Sequence, residues 1–283
     1  MNNFKKLKKK ASGGGTSTRA TDQVQLKLIK SSARDNLGAL AHSLLGAGMV
    51  LITAILVIYD LELIAVLIFL LSKWRTIAVQ PRYWVANLRS NIPDVAVGLS
   101  VIHHMSLASD LQSNPYAYLT GWALLFLVWQ LLIKPRSTAL AVSLQSMLAQ
   151  ALGLSTLLYY YSAATFGELI LIAATWMLSI SCARHFINYY DEPLGRLLSL
   201  SWALFVVQLT LIMNRWLTVI DAVPSFIVPT VVIIVATSQY CVGSLFNHYK
   251  YETLKNAHLR QFTIFTAAIM LMVIVFTNWT GDI

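Results

Sequence analysis

Residues 131–162 read LLIKPRSTALAVSLQSMLAQALGLSTLLYYYS. Lys134 and Arg136 stand at one end, Tyr159, Tyr160 and Tyr161 at the other, and the stretch between, 138–159, carries no charge. A helix rising about 1.5 Å per residue needs about 20 such residues to cross a hydrocarbon core roughly 30 Å thick. An uncharged block of that length, closed by bases on one side and interfacial aromatics on the other, predicts a transmembrane helix with its basic end in the cytoplasm.

Reading outward from this block gives nine: 37–58, 61–78, 92–110, 116–133, 138–159, 165–185, 196–214, 224–246 and 259–279. The expected fold is all-α, a polytopic transmembrane helical bundle over residues 36–283, because backbone groups in lipid must be paired within each segment. The second block is the weakest, with an uninterrupted apolar run only from Leu63 to Leu71. Without it, the first two blocks would form a re-entrant or kinked hairpin. Residues 1–35 are rich in Lys, with Gly, Ser and Thr among them, and predict a disordered cytoplasmic segment. Composition agrees: 12% of the 283 residues are charged, against about 25% in soluble domains, and the mean hydropathy is +0.64.

The net charge of +9 would suit a nucleic-acid partner only if the bases formed a patch. They do not. With the N-terminus inside and the C-terminus outside, all of the 21 Lys and Arg residues except Arg215 fall on the cytoplasmic side. No nucleic acid is expected. The expected location is a plasma membrane, with anionic head groups against the cytoplasmic face and a protein partner at the cytoplasmic loops as a further expectation. Cys182 and Cys241 form neither a disulfide framework nor a zinc motif, and no catalytic constellation is visible. Neither metal nor cofactor is expected, and no enzyme activity.

Residues 70–91, LLSKWRTIAVQPRYWVANLRSN, resemble uncharacterised multi-pass inner-membrane proteins of small-genome bacteria. The resemblance implies a bacterial inner membrane and carries no functional residue. The same segment echoes a later one, LLSKWRTIA at 70–78 against LLIKPRSTA at 131–139. Bases marking the cytoplasmic ends of two helices explain the echo better than a duplication does.

Acidic residues near spans have structural readings. Asp94, after Pro93, suits the start of the third helix; Glu168, three residues after Thr165, suits a capping box; Asp191 and Glu192, before Pro193, suit another helix start. Pro229 is expected near the start of the eighth helix, and Asp60, Glu62, Asp110 and Asp221 in outer connections. Gln145, Ser146, Gln150, Gln208 and Gln239 are expected to bond between helices, with the polar fifth helix at the bundle centre. If the protein moves a solute or proton, the route would involve His103, His104, Asp110, Gln145 and Gln150, since imidazole titrates near neutral pH. Lys73, Arg75, Arg82 and Arg89, interleaved with Trp74, Tyr83 and Trp84, are the expected contacts to anionic head groups. Function is expected to be that of a non-catalytic membrane subunit or scaffold, with a small-solute or proton-linked transporter or channel as the alternative.

Overall fold

The computed structural model describes residues 40–276 other than 42, 77, 111–113, 216–218 and 224–225. The chain divides into two units, Met1–Gly48 and Met49–Ile283. Residues 1–35 lie outside the described part, and the helix packing is internal to the second unit. Nine helices run through the described residues: α1 (Ser43–Ile58), α2 (Glu62–Leu71), α3 (Trp84–Ser106), α4 (Pro115–Val128), α5 (Ala139–Ser162), α6 (Glu168–Ile187), α7 (Gly195–Arg215), α8 (Thr230–Lys250) and α9 (Asn256–Phe276). Six of these, α4 to α9, are long and apolar enough to cross a membrane. The molecule is a helical, membrane-integral bundle.

The first three helices depart from the expected blocks. Asp60, at φ 57°, takes the left-handed turn that closes α1, where Leu61 N donates to Leu56 O at 2.9 Å. The returning α2 has only 10 residues, about 15 Å of helix, so the block expected at 61–78 is not a continuous spanning helix. It stops where Lys73 turns inward: Ser72 Oγ donates back to Phe69 O, and the Lys73 ammonium lies 4.8 Å from the centre of the Phe69 ring. A 3₁₀ turn at Trp74–Thr76 comes next, and Pro81 opens another that leads into α3. α3 is 23 residues long and begins at Trp84, well before the expected 92. Pro93 is therefore inside the helix, and Asp94 is an interior residue rather than a cap. Length suits α3 for crossing, but its charged and amide residues keep it out of the apolar class; it buries much of its length against α5 and α6.

Elsewhere the caps are local. Asn114 and Thr138 accept from Ala117 N and Ala141 N and start α4 and α5. The expected capping box at Glu168 does not form, because Gly167 is the N-cap and Thr165 N belongs to the preceding turn, bonded to Tyr160 O. Asp191 stands at φ 49°, ending the 3₁₀ turn after α6 instead of starting α7. Pro229 is the N-cap of α8, as its position predicted. Between α7 and α8 two strands, β1 (Val219–Val223) and β2 (Phe226–Pro229), pair antiparallel with Ile220 opposite Val228 and a bulge between Asp221 and Val223. This hairpin pairs backbone groups that a plain loop would leave to solvent or lipid.

α5 is the hub. It packs against α3, α6 and α8, and it is the most buried of the six long helices. Small residues let the neighbours approach: a Cβ on Gly153 would meet Leu178, and one on Gly243 of α8 would meet Ser143 and Phe186. α9, by contrast, packs mainly on α8 and is almost entirely exposed along its length.

Candidate functional site

Three groups of polar residues lie within the helical unit, at different depths. At the end of α4 nearest Lys134 the helix widens into a π turn, Trp129–Ile133, with Lys134 N donating to Trp129 O at 2.9 Å. The widening brings Trp129 and Lys134 to the same carboxylate. Asp94 Oδ1 accepts from Trp129 Nε1 at 3.0 Å, while Asp94 Oδ2 pairs with Lys134 Nζ at 2.9 Å and Lys73 Nζ at 2.5 Å. One acid from α3 therefore joins the segment after α2 to the end of α4, and two cations share it. Lys73 and Asp94 are mostly withdrawn from solvent and Lys134 is more open. The two lysines are the equivalent positions of the repeated LLxKxR pattern.

The second group runs along α5. Gln145 Nε2 donates to Ile133 O at 2.6 Å and Arg136 O at 2.9 Å, satisfying carbonyls freed at the end of α4, and its Oε1 contacts His185 Nε2 at 2.8 Å. Ser146 Oγ donates to Cys182 O at 2.6 Å and accepts from Gln239 Nε2 of α8. Gln150 Nε2 donates to Ser179 Oγ at 3.1 Å. These bonds tie α5 to α4, α6 and α8. Gln208, named with them in the sequence, is exposed on α7.

The third group lies at the opposite end of α3. His103 and His104 are both buried, with ring centres 5.5 Å apart. His103 packs between Tyr159 and Tyr160, 4.6 Å from each, and its Nε2 has no hydrogen-bond partner. His104 stacks on Trp122 at 4.4 Å. A cavity of about 320 Å³ opens beside His103, lined also by Asp60, Glu62, Ser106, Tyr159 and Tyr160. Its chemistry, two carboxylates and an imidazole beside phenol rings, suits a small cation or a polar solute.

The expected route residues are therefore not brought together. Tyr159 marks the level of His103 on α5, and Gln150 lies nine residues away along that helix, about 13 Å. Gln145 is deeper still, and the side chain of Asp110 lies outside the described residues. The expected head-group contacts also separate. Lys73 is bound to Asp94, Arg82 lies over the Tyr83 ring at 4.6 Å, and Arg89 neighbours Arg184 of α6; the Arg75 side chain is outside the described residues. Asp94, Trp129 and Lys134 were missed as a cluster, although the echo of the two lysines with one acid at the same depth was the signal.

Among the described residues no group of three or more His, Cys, Asp or Glu side chains is placed to hold a metal ion. Compared with protein-family models, curated proteins and solved structures, the chain has no match.

Proposed function

We propose that the chain is a non-catalytic membrane subunit or scaffold of a bacterial inner membrane, with its N-terminus in the cytoplasm, α1–α2 as a hairpin that enters and returns, and α3 to α9 as seven crossings. One observation carries the functional part: Gln145, Ser146 and the Gln150 amide nitrogen of α5 are bonded to neighbouring segments, where each bond contributes about 0.6 kcal/mol and fixes packing, so these groups are engaged rather than presented to a passing solute, while Gln150 Oε1 and Thr156 Oγ1 have no partner. In-cell crosslinking with mass spectrometry is expected to recover one partner in stoichiometric amount. Recovery of the chain alone, or only of copies of itself, would overturn the reading.

The crossing number rests on α3 as a polar, protein-enclosed span and on α1–α2 as a pair. A helical hairpin that enters and returns leaves the orientation of α3 unchanged whether or not it reaches the far side. Seven helices then remain, α3 to α9, and the C-terminus emerges outside, consistent with the placement of every base but Arg215. A reporter active only outside the cytoplasm, fused after Asp282, is expected to be active; activity of a cytoplasmic reporter there would overturn the topology.

The alternative is a proton-linked or small-solute transporter, supported by the cavity beside His103. Its signature would be a pH-dependent flux in liposomes, abolished by replacing His103 and His104 with Gln while the fold is retained.

A further inference from the structure

Two cavities lie on neighbouring residues where α6 ends and α7 begins. One, of about 500 Å³, is almost wholly apolar and is lined by Ala183, Phe186, Ile187, Trp202, Phe205 and Phe246, among others. Its size falls within the roughly 300–1,000 Å³ of small-molecule sites. The other, of about 350 Å³, is polar and is lined by Arg184, Asn188, Glu192 and Arg196. Ala183 and Ile187 face the first and Arg184 and Asn188 the second, so successive residues of α6 form the border. Gly195 holds α7 close at that border, since a Cβ there would come within 2.9 Å of Ile187 Cγ2.

Residues that line each cavity carry buried polar atoms with no hydrogen-bond partner. Arg184 Nε is buried without an acceptor, and in the apolar slot the Trp202 indole N–H and Gln239 Oε1 are likewise buried and unmatched. Such groups are costly in a membrane protein unless something fills their valence. The charge balance points the same way. Arg89 and Arg196 are the cations that act on Arg184, and Glu192, an acid in the wall of the polar cavity, is already held by Lys250 at 2.9 Å. The lining itself is balanced, Arg184 and Arg196 against Asp191 and Glu192, and the positive excess comes from outside it: Lys250, which holds Glu192, and Arg89, which acts on Arg184.

We propose that the two cavities form one site for an anionic phospholipid, its phosphate between Arg184 and Arg196 and an acyl chain in the apolar slot beside Trp202. Guanidinium groups match phosphate oxygens with paired, charge-assisted hydrogen bonds. The placement of an arginine-bearing pocket and an apolar slot on adjacent residues, Arg184 beside Ala183 and Asn188 beside Ile187, favours a lipid over a free anion, because a free anion has no use for the slot. Assignment to the cytoplasmic leaflet rests on the topology proposed above; the binding does not.

The test uses the purified full chain in mild detergent, with lipid retention counted by native mass spectrometry. Phosphatidylglycerol is compared with phosphatidylcholine of the same chains, with inorganic phosphate as competitor. The proposal expects a phosphatidylglycerol adduct that R184Q combined with R196Q weakens about tenfold or more, the loss of charge-assisted hydrogen bonds. S201W, which fills the slot from its exposed edge, is expected to weaken it comparably with both arginines intact. R260Q, at an exposed position, is expected to leave it unchanged. Phosphatidylglycerol and phosphatidylcholine retained equally, or an adduct indifferent to the arginine pair, would overturn the site. An adduct that survives S201W and is displaced by inorganic phosphate would overturn the lipid and leave an anion pocket. If the double Gln variant does not fold, S201W decides alone, since it removes no charge.

Discussion

Asp94→Ala is expected to destabilise the helical bundle by about 3 kcal/mol, near the low end of what removing one partner of a buried ion pair costs. The carboxylate holds two ammonium groups and an indole N–H at once, so its loss strands Lys73, Lys134 and Trp129 Nε1 together. The low end applies because Lys134, with a side chain 39% exposed, can turn to water, whereas Lys73 at 16% cannot. Lys73 lies just past the end of α2, so the segment that carries it should detach first. Lys134→Gln is expected to be far milder, since Asp94 keeps Lys73. Replacing Asp94, Lys73 and Lys134 together by Leu, Met and Met should recover much of the loss, because a buried charge cluster exchanged for apolar side chains of similar volume is often neutral. Unfolding in detergent, followed by thermal denaturation of the purified variants, reads all three. Equal stability of Asp94→Ala and the wild type would show that the cluster holds nothing together.

Much of the bundle was legible in the sequence because length and hydropathy are properties of single helices. α4 to α7 and α9 match their expected blocks to within a few residues, whereas α8 starts at Thr230 instead of 224 because Phe226–Pro229 of that block pairs as a strand; α5 is central, as its Gln and Ser content predicted. What was not legible depends on contacts between helices. Asp94 beside Pro93 has the local chemistry of a helix start, and only the packing of α2 and α4 on α3 shows it as the acceptor of two lysines. α2 reads as a span from its apolar residues alone, but Lys73 is drawn inward and the helix ends early. Likewise Gln145 and Gln150 look alike as intramembrane amides; their partners, His185, the α4 carbonyls and Ser179, lie far away in sequence. The cavity at the α6–α7 junction had no sequence signal beyond two arginines assigned to topology.

Among the described glycines, Gly98→Ala is expected to be the most damaging methyl addition. A Cβ at position 98 would overlap the Phe69 ring, closer to Cζ, Cε1 and Cε2 than carbon atoms approach one another. The ring has nowhere to go. It is completely buried, meets Phe126 edge-on at 6.0 Å, and carries the Lys73 ammonium over its face. Overpacking a close-packed core costs about 1–3 kcal/mol, and a rigid ring boxed on three sides places this substitution at the upper end. Phe69→Ala is expected to cost about 3–5 kcal/mol by leaving a cavity instead. In the double variant the new methyl occupies part of that cavity, so the two changes should partly cancel, with a coupling of about 1 kcal/mol or more between residues in direct contact. A melt of Gly98→Ala indistinguishable from the wild type would remove the Gly98–Phe69 contact. The same contact docks α2, which delivers Lys73 to Asp94. Gly98→Ala and Asp94→Ala should therefore be less than additive, because the first already releases much of what the second removes.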